Sequence, residues 1–415
     1  KASLQGEEIY IDLPEGFAGK EGDIGNVTTA ADQEGTGNDP REVLRLEKGL
    51  YGLKQSGLYW NKEVHSKLCE LGLKSLLSDK CLYILSEGSN IIIVLLYVDD
   101  ILIASNWDEK KKVIVEELKR AYQIKELGKV DKFLGMNINQ QGDGKAFIDQ
   151  ENFVDEIIQK FNLNGIKDRG IPLDKNERFE INKSTPTNMP YRSLLGGLLY
   201  LSTSTRPDIA FAVNQAAKFN ENPTEEHWEK LLKITAYVKS TKNYGLWYNT
   251  RTSGDQVVQL SIYTDADWAN CKDTRKSVTG ILISLWGCPV MWKSTKQSIV
   301  ATSTCLAEIV AACSGLNEAE KIKELLGEMK FLQNSRPTLY VDNRPAINLI
   351  ENDKPPQTMK HLSIKYHSVR EKIQDRSYKV EYCQTEHMLA DIFAKALDKN
   401  RFTTLRKKLK VVPKV

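Results

Sequence analysis

The sequence predicts a multidomain protein of the α/β and α+β classes, and three observations lead to this prediction. The chain has 415 residues, which is enough for two or three domains. Strand-like and helical patterns alternate in the last third of the chain, as in α/β architectures. Helical patterns alone fill residues 191–247, and a polar stretch at 249–256 follows them. We therefore expect domains at 1–185, 186–252 and 253–415.

The first 185 residues alternate strands and helices with polar loops. Ile9-Tyr10-Ile11 is strand-like, whereas residues 20–43 contain several Gly, Thr and Asp residues and predict a loop. The other elements predicted here are helices at 58–72, 109–121 and 153–161, a strand at 133–138, a hairpin around 99–100 and a polar loop at 164–189.

The remaining elements follow the same reasoning. Asn222-Pro223 separates two predicted helices, because proline does not continue a helix. The predicted order is helices at 191–201, 208–219 and 224–240, strands at 258–264, 279–284 and 289–292, a helix at 306–330, a strand at 338–341, a helix from 344, a strand at 378–383 and closing helices.

Composition excludes several classes of protein. No stretch reaches the roughly 18 apolar residues that a membrane span requires. The seven cysteines form no C-x-x-C pair, and the five histidines form no H-E-x-x-H motif, so neither a disulfide framework nor a zinc site is predicted. Any metal ligands would therefore be carboxylates, which favour Mg²⁺ or Mn²⁺. The net charge is only +3, but residues 399–415 carry seven Lys or Arg and no acid, which suits phosphate contact or a solvated face.

Asp99 and Asp100 lie between two apolar runs, at 91–96 and 101–103. The pattern predicts a hairpin whose turn carries both carboxylates. Buried unpaired charges are costly, so such a pair favours protonation or a bound cation. A divalent ion bridging the pair to a phosphate is one interpretation. A good turn-forming sequence with no further role is the other.

Four more acids occupy unusual positions for structural residues. Asp265 and Asp342 end strands, Glu308 lies on a small and apolar helix face, and Asp391 opens a helix. Each has an ordinary explanation, such as a helix cap or a turn. Strand ends and helix starts are nevertheless where α/β folds place their sites. A cluster of four carboxylates would suit phosphodiester hydrolysis by two metal ions.

Short motifs follow one another in a fixed order through nearly the whole chain. They are Tyr51-Gly52-Leu53-Lys54-Gln55, Leu96-Tyr97-Val98-Asp99-Asp100, Phe133-Leu134-Gly135, Tyr191-Arg192-Ser193-Leu194-Leu195-Gly196, Thr205-Arg206-Pro207-Asp208-Ile209-Ala210, His227-Trp228, Thr264-Asp265-Ala266-Asp267-Trp268-Ala269, Arg275-Lys276-Ser277, Trp292-Lys293-Ser294, Lys296-Gln297, Ala307-Glu308, Asp342-Asn343 and Ala390-Asp391-Ile392-Phe393. In this order they resemble the reverse transcriptase–ribonuclease H region of copia-type LTR retrotransposon polyproteins.

The resemblance implies a fold for each predicted domain. Residues 1–185 would be a partial polymerase palm, and 186–252 a helical thumb or connection segment. Residues 253–415 would be a ribonuclease H-like α/β domain with a mixed sheet. The family's first palm Asp precedes a segment like Lys1-Ala2-Ser3-Leu4, so we expect this chain alone to lack polymerase activity. A non-catalytic nucleic-acid-binding relic, or the product of a pseudogene, is the alternative to an active enzyme.

The resemblance also assigns roles to residues. The implied catalytic and metal-binding residues are Asp99 and Asp100 for the polymerase and Asp265, Glu308, Asp342 and Asp391 for the ribonuclease H. Lys54, Gln55 and Tyr97 would contact nucleotide or template, although Gln55 could equally be a polar helix cap. Phe133, Leu134 and Gly135 would contact the primer. His361, His367 and His387 are candidates for assisting product release, against a plain solvated role.

Cofactor and partners follow from the same resemblance. The cofactor would be Mg²⁺ or Mn²⁺, and the partners an RNA–DNA hybrid, a primer–template and, in the intact enzyme, deoxynucleotides. Lys293, Lys296, Arg275 and Lys276 would meet phosphates. Other segments of the same polyprotein are further expected partners, and no membrane is expected. The expected location is a cytoplasmic virus-like particle, with nuclear entry possible.

Overall fold

Two compact units make up the part of the chain that the structure describes, residues 1–127 and 128–415. The structure is a computed structural model. It describes residues 9–12, 27–29, 42–46, 52–142, 144–181, 185–249, 258–269, 271, 273–331, 336–351 and 363–414. The candidate His361 lies outside these residues.

The first unit contains two antiparallel sheets and two helices. Its elements are β1 (Tyr10–Asp12), β2 (Val27–Thr29), β3 (Glu42–Arg45), α1 (Ser56–Glu70), β4 (Lys74–Ser75), β5 (Leu82–Glu87), β6 (Asn90–Tyr97), β7 (Asp100–Ser105) and α2 (Asp108–Ala121). The strand orders are β1-β3-β2 and β4-β5-β6-β7. Strand β2 lies inside the stretch 20–43, so the prediction of an uninterrupted loop there is wrong.

The core of this unit forms because apolar residues recur at the period of each element. Ile92, Val94 and Leu96 alternate along β6 and are buried on one face. Val64 and Leu68, one helical turn apart on α1, pack in the same cluster. Ile114 and Leu118 do the same on α2. The two helices therefore cover one face of the β4–β7 sheet.

The second unit begins with strands and helices that bracket a shared core. Its first elements are β8 (Lys132–Phe133), β9 (Met136–Gly142), β10 (Lys145–Asp149), α3 (Glu151–Lys160), α4 (Tyr191–Ser204), a 3₁₀ turn (Pro207–Ile209), α5 (Ala210–Ala217), α6 (Glu225–Ser240) and β11 (Tyr244–Asn249). The predicted single strand at 133–138 is instead the β8–β9 hairpin, because Leu134 and Gly135 both adopt positive φ and reverse the chain.

A mixed sheet and its covering helices complete the second unit. The elements are β12 (Leu260–Asp267), β13 (Val278–Leu285), β14 (Cys288–Lys296), α7 (Thr304–Glu328), β15 (Thr338–Val341), α8 (Arg344–Glu351), α9 (Ser363–Gln374), β16 (Lys379–Tyr382), a 3₁₀ turn (Thr385–His387), α10 (Asp391–Ala394), α11 (Lys399–Lys408) and β17 (Val411–Pro413). The strand order is β14-β13-β12-β15-β16. Strands β12, β15 and β16 run parallel, whereas β13 and β14 are antiparallel to their neighbours.

The two faces of this mixed sheet are buried by different partners. Ile281 and Ile283 of β13 pack in the cluster that contains α7, α8 and α9. Leu282, which points to the opposite face, packs with the helices α4–α6 and with Phe393 of α10. The predicted α/β architecture of the last third is thus present. Helices α4–α6, called the helical segment below, cover the second face of its mixed sheet.

A five-stranded sheet of order β17-β11-β10-β9-β8 joins distant parts of the second unit. It takes strands from all three predicted domains, so the expected boundaries at 185 and 252 do not coincide with the two compact units. As functional domains, the three segments remain predictions. Strands β11 and β17 were not predicted. The last described element is therefore the strand β17, whereas the sequence predicted helices there.

No helix among the described residues is long and apolar enough to cross a bilayer.

Candidate metal centre

The central strand β12 carries Asp265 near its carboxyl end. The side chain is only 2% exposed. Strand β15 runs parallel beside β12, and Asp342 is the first residue after it. Because the carboxyl ends of parallel strands lie at the same edge of a sheet, these two aspartates come together.

Asp391 approaches the same edge as the first residue of α10. One carboxylate oxygen each from Asp265, Asp342 and Asp391 lie within 4.8 Å of one another. Asp265 and Asp391 are buried, and Asp342 is half-buried. The structure therefore brings together three of the four acids predicted for this cluster.

Glu308, the fourth acid, lies beside the three aspartates on the second turn of α7. Its Oε1 accepts a hydrogen bond from the backbone N–H of Ala266, at 3.2 Å, directly after Asp265. Its Oε2 is buried and has no hydrogen-bond partner among the described residues. A buried carboxylate oxygen without a donor is costly, so a cation near Glu308 would offset that cost.

Two glycines allow these elements to approach so closely. A Cβ on Gly280 of β13 would stand 2.4 Å from the carbonyl oxygen of Ala390, directly before Asp391. A Cβ on Gly315 of α7 would stand 2.4 Å from the side chain of Thr264, directly before Asp265. Both contacts are too short for any larger residue, so glycine fixes α10 and α7 against the sheet.

Two positively charged side chains, Lys395 and Arg401, lie beside the aspartates. Nζ of Lys395 lies 2.9 Å from Asp391 Oδ1 and 3.4 Å from Asp265 Oδ2. Nη2 of Arg401 donates to Asp391 Oδ2 at 2.8 Å. Sequence reasoning missed both residues as part of the site. The signal available for Lys395 was its spacing of four residues from an acid that opens a predicted helix, although in the structure Lys395 follows α10 with extended backbone.

Burial and mutual repulsion raise the pKa values of three of these acids, Asp265, Glu308 and Asp342. Burial raises the pKa of Asp265 to about 7, with Lys395 opposing the shift and Asp391 and Asp342 adding to it. Burial also raises the pKa of Glu308 well above its ordinary value, and Asp265 adds to that shift. The pKa of Asp342 rises mainly through burial. Proton uptake or a divalent cation would relieve this crowding of negative charge.

The donor set fits a hard divalent cation. Carboxylate oxygens are the ligands that Mg²⁺ and Mn²⁺ prefer. Asp265, Asp342 and Asp391 offer such oxygens at one point, and the orphaned Oε2 of Glu308 adds another nearby. The described residues near this cluster include no histidine or cysteine ligand set of the kind that zinc would favour.

The Asp99–Asp100 pair occupies a different setting, in the first unit. Tyr97 pairs with Asp100 across the β6–β7 hairpin, so Val98 and Asp99 form its loop. Asp99 in this loop and Asp100 at the start of β7 are both exposed, so the idea that the two carboxylates lie buried between the strands is wrong. The hairpin itself is confirmed.

Two features fix the geometry of this loop. The indole N–H of Trp60 on α1 donates to the carbonyl oxygen of Val98 at 2.6 Å. Val98 has a φ of +50°, which is strained for a β-branched residue. Strain of this kind concentrates at functional sites. The loop therefore holds two exposed carboxylates in a defined place.

The other predicted site residues are exposed or lie in turns. Lys54 is exposed two residues before α1, and Gln55 occupies the N-cap of that helix without a side-chain capping bond. Tyr97 is exposed at the end of β6. Phe133, Leu134 and Gly135 form the turn of the β8–β9 hairpin, where the hydroxyl of Tyr200 donates to the carbonyl of Leu134.

The two histidine candidates that the structure describes make their contacts away from the carboxylate cluster. His387 is exposed, and its Nδ1 lies 2.9 Å from Nζ of Lys408. His367 is exposed on α9 and contacts the ring of Tyr366. These contacts assign neither residue a role at the cluster.

Comparison with known proteins defines the class of this chain. The family model of the reverse transcriptase (RNA-dependent DNA polymerase) matches residues 7–175. The putative transposon Ty5-1 protein of Saccharomyces cerevisiae is 30% identical over 76% of this chain and 97% of its own length. The chain belongs to the reverse transcriptase family of copia-type retrotransposon Pol polyproteins.

Plant relatives match along nearly the whole chain. The retrovirus-related Pol polyprotein from transposon TNT 1-94 of Nicotiana tabacum is 34% identical over 95% of the chain. The polyprotein from transposon RE1 of Arabidopsis thaliana is 31% identical over 99%. The chain spans only 29% and 27% of these two polyproteins.

Solved structures give weaker likenesses. A ribonuclease H1 isolated from compost covers 33% of the chain at 16% identity, with a TM-score of 0.27. A foamy viral protease–reverse transcriptase in complex with double-stranded DNA covers 92% at 15% identity, with a TM-score of 0.22. Scores this low leave the site to be judged on its own geometry.

Proposed function

We propose that residues 253–415, within the second unit, are a ribonuclease H, which hydrolyses the RNA strand of RNA–DNA hybrids with two divalent metal ions. The observation that carries this proposal is the meeting of three aspartate oxygens within 4.8 Å, with Glu308 hydrogen-bonded one residue from Asp265. The polyprotein family of the chain supports a nucleic-acid substrate.

Each acid has a distinct part in this proposal. Asp265, Asp342 and Asp391 would hold the cations, and Glu308 would complete the set through its free Oε2. When bound, Mg²⁺ or Mn²⁺ supplies Lewis acidity for phosphodiester hydrolysis. Lys395 offsets part of the negative charge of Asp265 and Asp391, because its Nζ lies 3.4 Å and 2.9 Å from their carboxylate oxygens.

The nucleic acid would be recognised by its shape and charge. An RNA–DNA hybrid displays 2′-hydroxyls in a wide minor groove, which distinguishes it from a DNA duplex. Arg275 and Lys296 are exposed and available to meet phosphates, whereas Lys293 is paired with Glu318 at 3.0 Å. We expect substitution of Arg275 or Lys296 to weaken binding broadly and to reduce its salt dependence.

Cleavage of a labelled RNA–DNA hybrid in Mg²⁺ tests the proposal. The wild-type protein should cut the hybrid and leave a DNA duplex intact. Asp265→Asn should abolish cutting and largely preserve hybrid binding, because it removes one carboxylate oxygen and little volume. Absence of cutting by a folded wild-type protein would favour the non-catalytic relic. Wild-type rates in Asp265→Asn would refute the assignment of the site.

A second activity is proposed for the intact polyprotein, since the β6–β7 loop presents two exposed carboxylates in a fixed geometry. There, Asp99 and Asp100 would bind the metal ions of RNA-directed DNA synthesis. Asp100→Asn in the polyprotein should abolish primer extension and leave hybrid cleavage unchanged. If both activities fell together, the two sites would not be separate.

A further inference from the structure

Helix α11 carries an arginine that contacts the candidate metal centre from outside. Both contacts of Arg401 involve its Nη2 nitrogen, which has two N–H groups. One donates to Asp391 Oδ2 at 2.8 Å, and the other to the backbone carbonyl of Thr385. The arginine thus ties α11 to the first residue of α10 and to the 3₁₀ turn before it.

Thr385 continues this connection to a second aspartate. Its hydroxyl donates to Asp342 Oδ2 at 3.0 Å. One chain of hydrogen bonds therefore runs from Asp391 through Arg401 and Thr385 to Asp342. The side chain of Arg401 carries only N–H donors and therefore cannot hold a cation. The hydroxyl of Thr385 is bonded to Asp342, so Thr385 meets the cluster through that carboxylate.

Arg401 is itself held in place from both sides. Its backbone N–H binds the carboxylate of Asp398, the N-cap of α11, at 3.0 Å. Later in α11, the buried Arg406 donates to the hydroxyl of Tyr237 at 3.2 Å. Tyr237 in turn donates to Asp208 within a buried network of the helical segment. The guanidinium of Arg401 therefore projects from a helix with fixed ends.

We propose that Arg401, acting with Thr385, is a positioning residue that orients Asp391 and Asp342 for binding of a divalent cation. This inference rests on the proposed function in that it takes the cluster to be the cation site. It adds two residues that act through the carboxylates and do not touch the cation. Groups that orient metal ligands change metal affinity by roughly 10- to 100-fold when they are removed.

The direction in which the cation affinity changes distinguishes a positioning role of Arg401 from a purely electrostatic one. A positive side chain beside the cluster repels a divalent cation, so loss of its charge alone would tighten cation binding. Loss of a restraint on Asp391 would weaken binding, because the carboxylate would no longer be held towards its neighbours. Arg401→Gln removes both effects together, and the observed direction shows which one dominates.

The experiment measures Mn²⁺ binding to the full chain by calorimetry, without nucleic acid. We expect Arg401→Gln to raise the Kd about 10-fold or more. Arg401→Lys keeps the positive charge but not the fork of donors, so its Kd should rise at least as much as that of Arg401→Gln, which also loses the repulsion. Thr385→Val, which breaks the bond to Asp342 alone, should raise the Kd to a smaller extent. An unchanged or lower Kd in Arg401→Gln would overturn the proposal.

A matched control separates positioning from general loss of an arginine. Arg192 is exposed on α4 and donates to the backbone carbonyl of Asn220 at 2.8 Å, not to the aspartates of the cluster. Arg192→Gln should bind Mn²⁺ as the wild type does. Thermal unfolding without metal checks each variant for folding. If Arg401→Gln does not fold, the Kd values of Arg401→Lys and Thr385→Val decide the question.

Hybrid cleavage, measured in parallel, keeps this inference distinct from the proposed function. A wild type that binds Mn²⁺ in an Arg401-dependent manner but cuts no hybrid would support the positioning role and refute the ribonuclease. A wild type that cuts hybrids, with Arg401→Gln unchanged in both Kd and cutting, would refute the positioning role alone. A wild type without Mn²⁺ affinity would refute both.

Discussion

At the residue scale, Gly280 decides how closely α10 approaches the mixed sheet. A Cβ at this position would meet the backbone oxygen of Ala390 at 2.4 Å, and backbone cannot rotate away as a side chain can. The carboxylate of Asp391 is carried by the next residue. The metal centre therefore requires glycine at position 280, because the space there holds a hydrogen but not a methyl group.

Substitution of Gly280 by Ala should destabilise the protein and weaken cation binding. Overpacking of this kind costs about 1–3 kcal/mol of unfolding free energy. The same substitution at Gly327 of α7, where a Cβ meets open space, should be neutral or slightly stabilising because alanine favours helix. Denaturant unfolding and Mn²⁺ titration of both variants check the expectation. Equal stability of the two variants would contradict it.

His227 shows how a buried side chain joins separate segments. Its Nδ1 accepts the backbone N–H of Thr224 at 3.2 Å, and its Nε2 donates to the carbonyl of Glu180 at 2.9 Å. The ring stacks on Phe219 with centroids 4.1 Å apart. Burial lowers the pKa of His227 below its ordinary value of about 6.5. The neutral ring is therefore the form that fits this place.

This lowered pKa predicts a pH dependence of stability. The unfolded chain takes up a proton at His227 below about pH 6.5, whereas the folded protein does so only at lower pH. The contribution of His227 is thus present above that pH and declines as the pH falls. His227→Gln, which preserves a capping box with Thr224, should flatten the loss of unfolding free energy between about pH 7.5 and 5.5.

Denaturant unfolding at the two pH values measures this loss, with His367→Gln, at an exposed histidine, as the control. A slope in His227→Gln identical to that of the wild type would show that the histidine does not contribute.

At the scale of the element, the β6–β7 hairpin combines a regular ladder with a strained loop. Residues 92–97 pair in register with 100–105. The first loop residue, Val98, has positive φ, a position where two-residue hairpin loops favour glycine. Local strain is tolerated because Trp60 anchors the carbonyl of Val98. The ladder and the anchor together determine where Asp99 and Asp100 lie.

Replacement of Val98 by Gly should therefore raise stability. A left-handed conformation costs a β-branched residue about 1–2 kcal/mol, and the greater unfolded-state freedom of glycine returns about half of that. The net gain expected is up to about 1 kcal/mol. Val113→Gly, in the exposed middle of α2, should destabilise by about 0.5–1 kcal/mol. Thermal unfolding of both variants tests this, and a loss of stability in Val98→Gly would contradict the expectation.

Elements with a strong period were predicted well, whereas several short ones were missed. Helices α1, α2, α3, α6 and α7 lie within a few residues of their predicted bounds because each has an apolar stripe over several turns. Strands β2, β11 and β17 span three to six residues, too few for an alternating pattern to stand out. Their pairing partners decide their conformation.

At the scale of the whole second unit, the mixed sheet depends on residues far from it in sequence. Val278 and Leu282 of β13 and Phe393 of α10 share a core with α4 and α6. Trp292 of β14 donates to the carbonyl of Ser202 on α4 at 2.7 Å. Removal of the helical segment would expose this face and leave Arg406 without Tyr237.

A fragment of residues 258–415 should therefore be much less stable than one of residues 128–415. The shorter fragment should bind a hydrophobic dye and unfold without a cooperative transition, since one face of its sheet is uncovered. The longer fragment should unfold cooperatively. Thermal unfolding with dye binding tests the pair. Equal melting temperatures would mean that the helical segment contributes nothing to the mixed sheet.

The sequence by itself determined the family, the order of the main elements and the identity of the acids. These follow from motifs and local periodicity, which neighbouring residues set. Only the tertiary structure decided that Asp265, Asp342 and Asp391 converge, that Asp99 and Asp100 are exposed, and that Lys395 and Arg401 belong to the site. Contacts between residues far apart in sequence depend on how strands pair and helices pack, and no local pattern records that geometry.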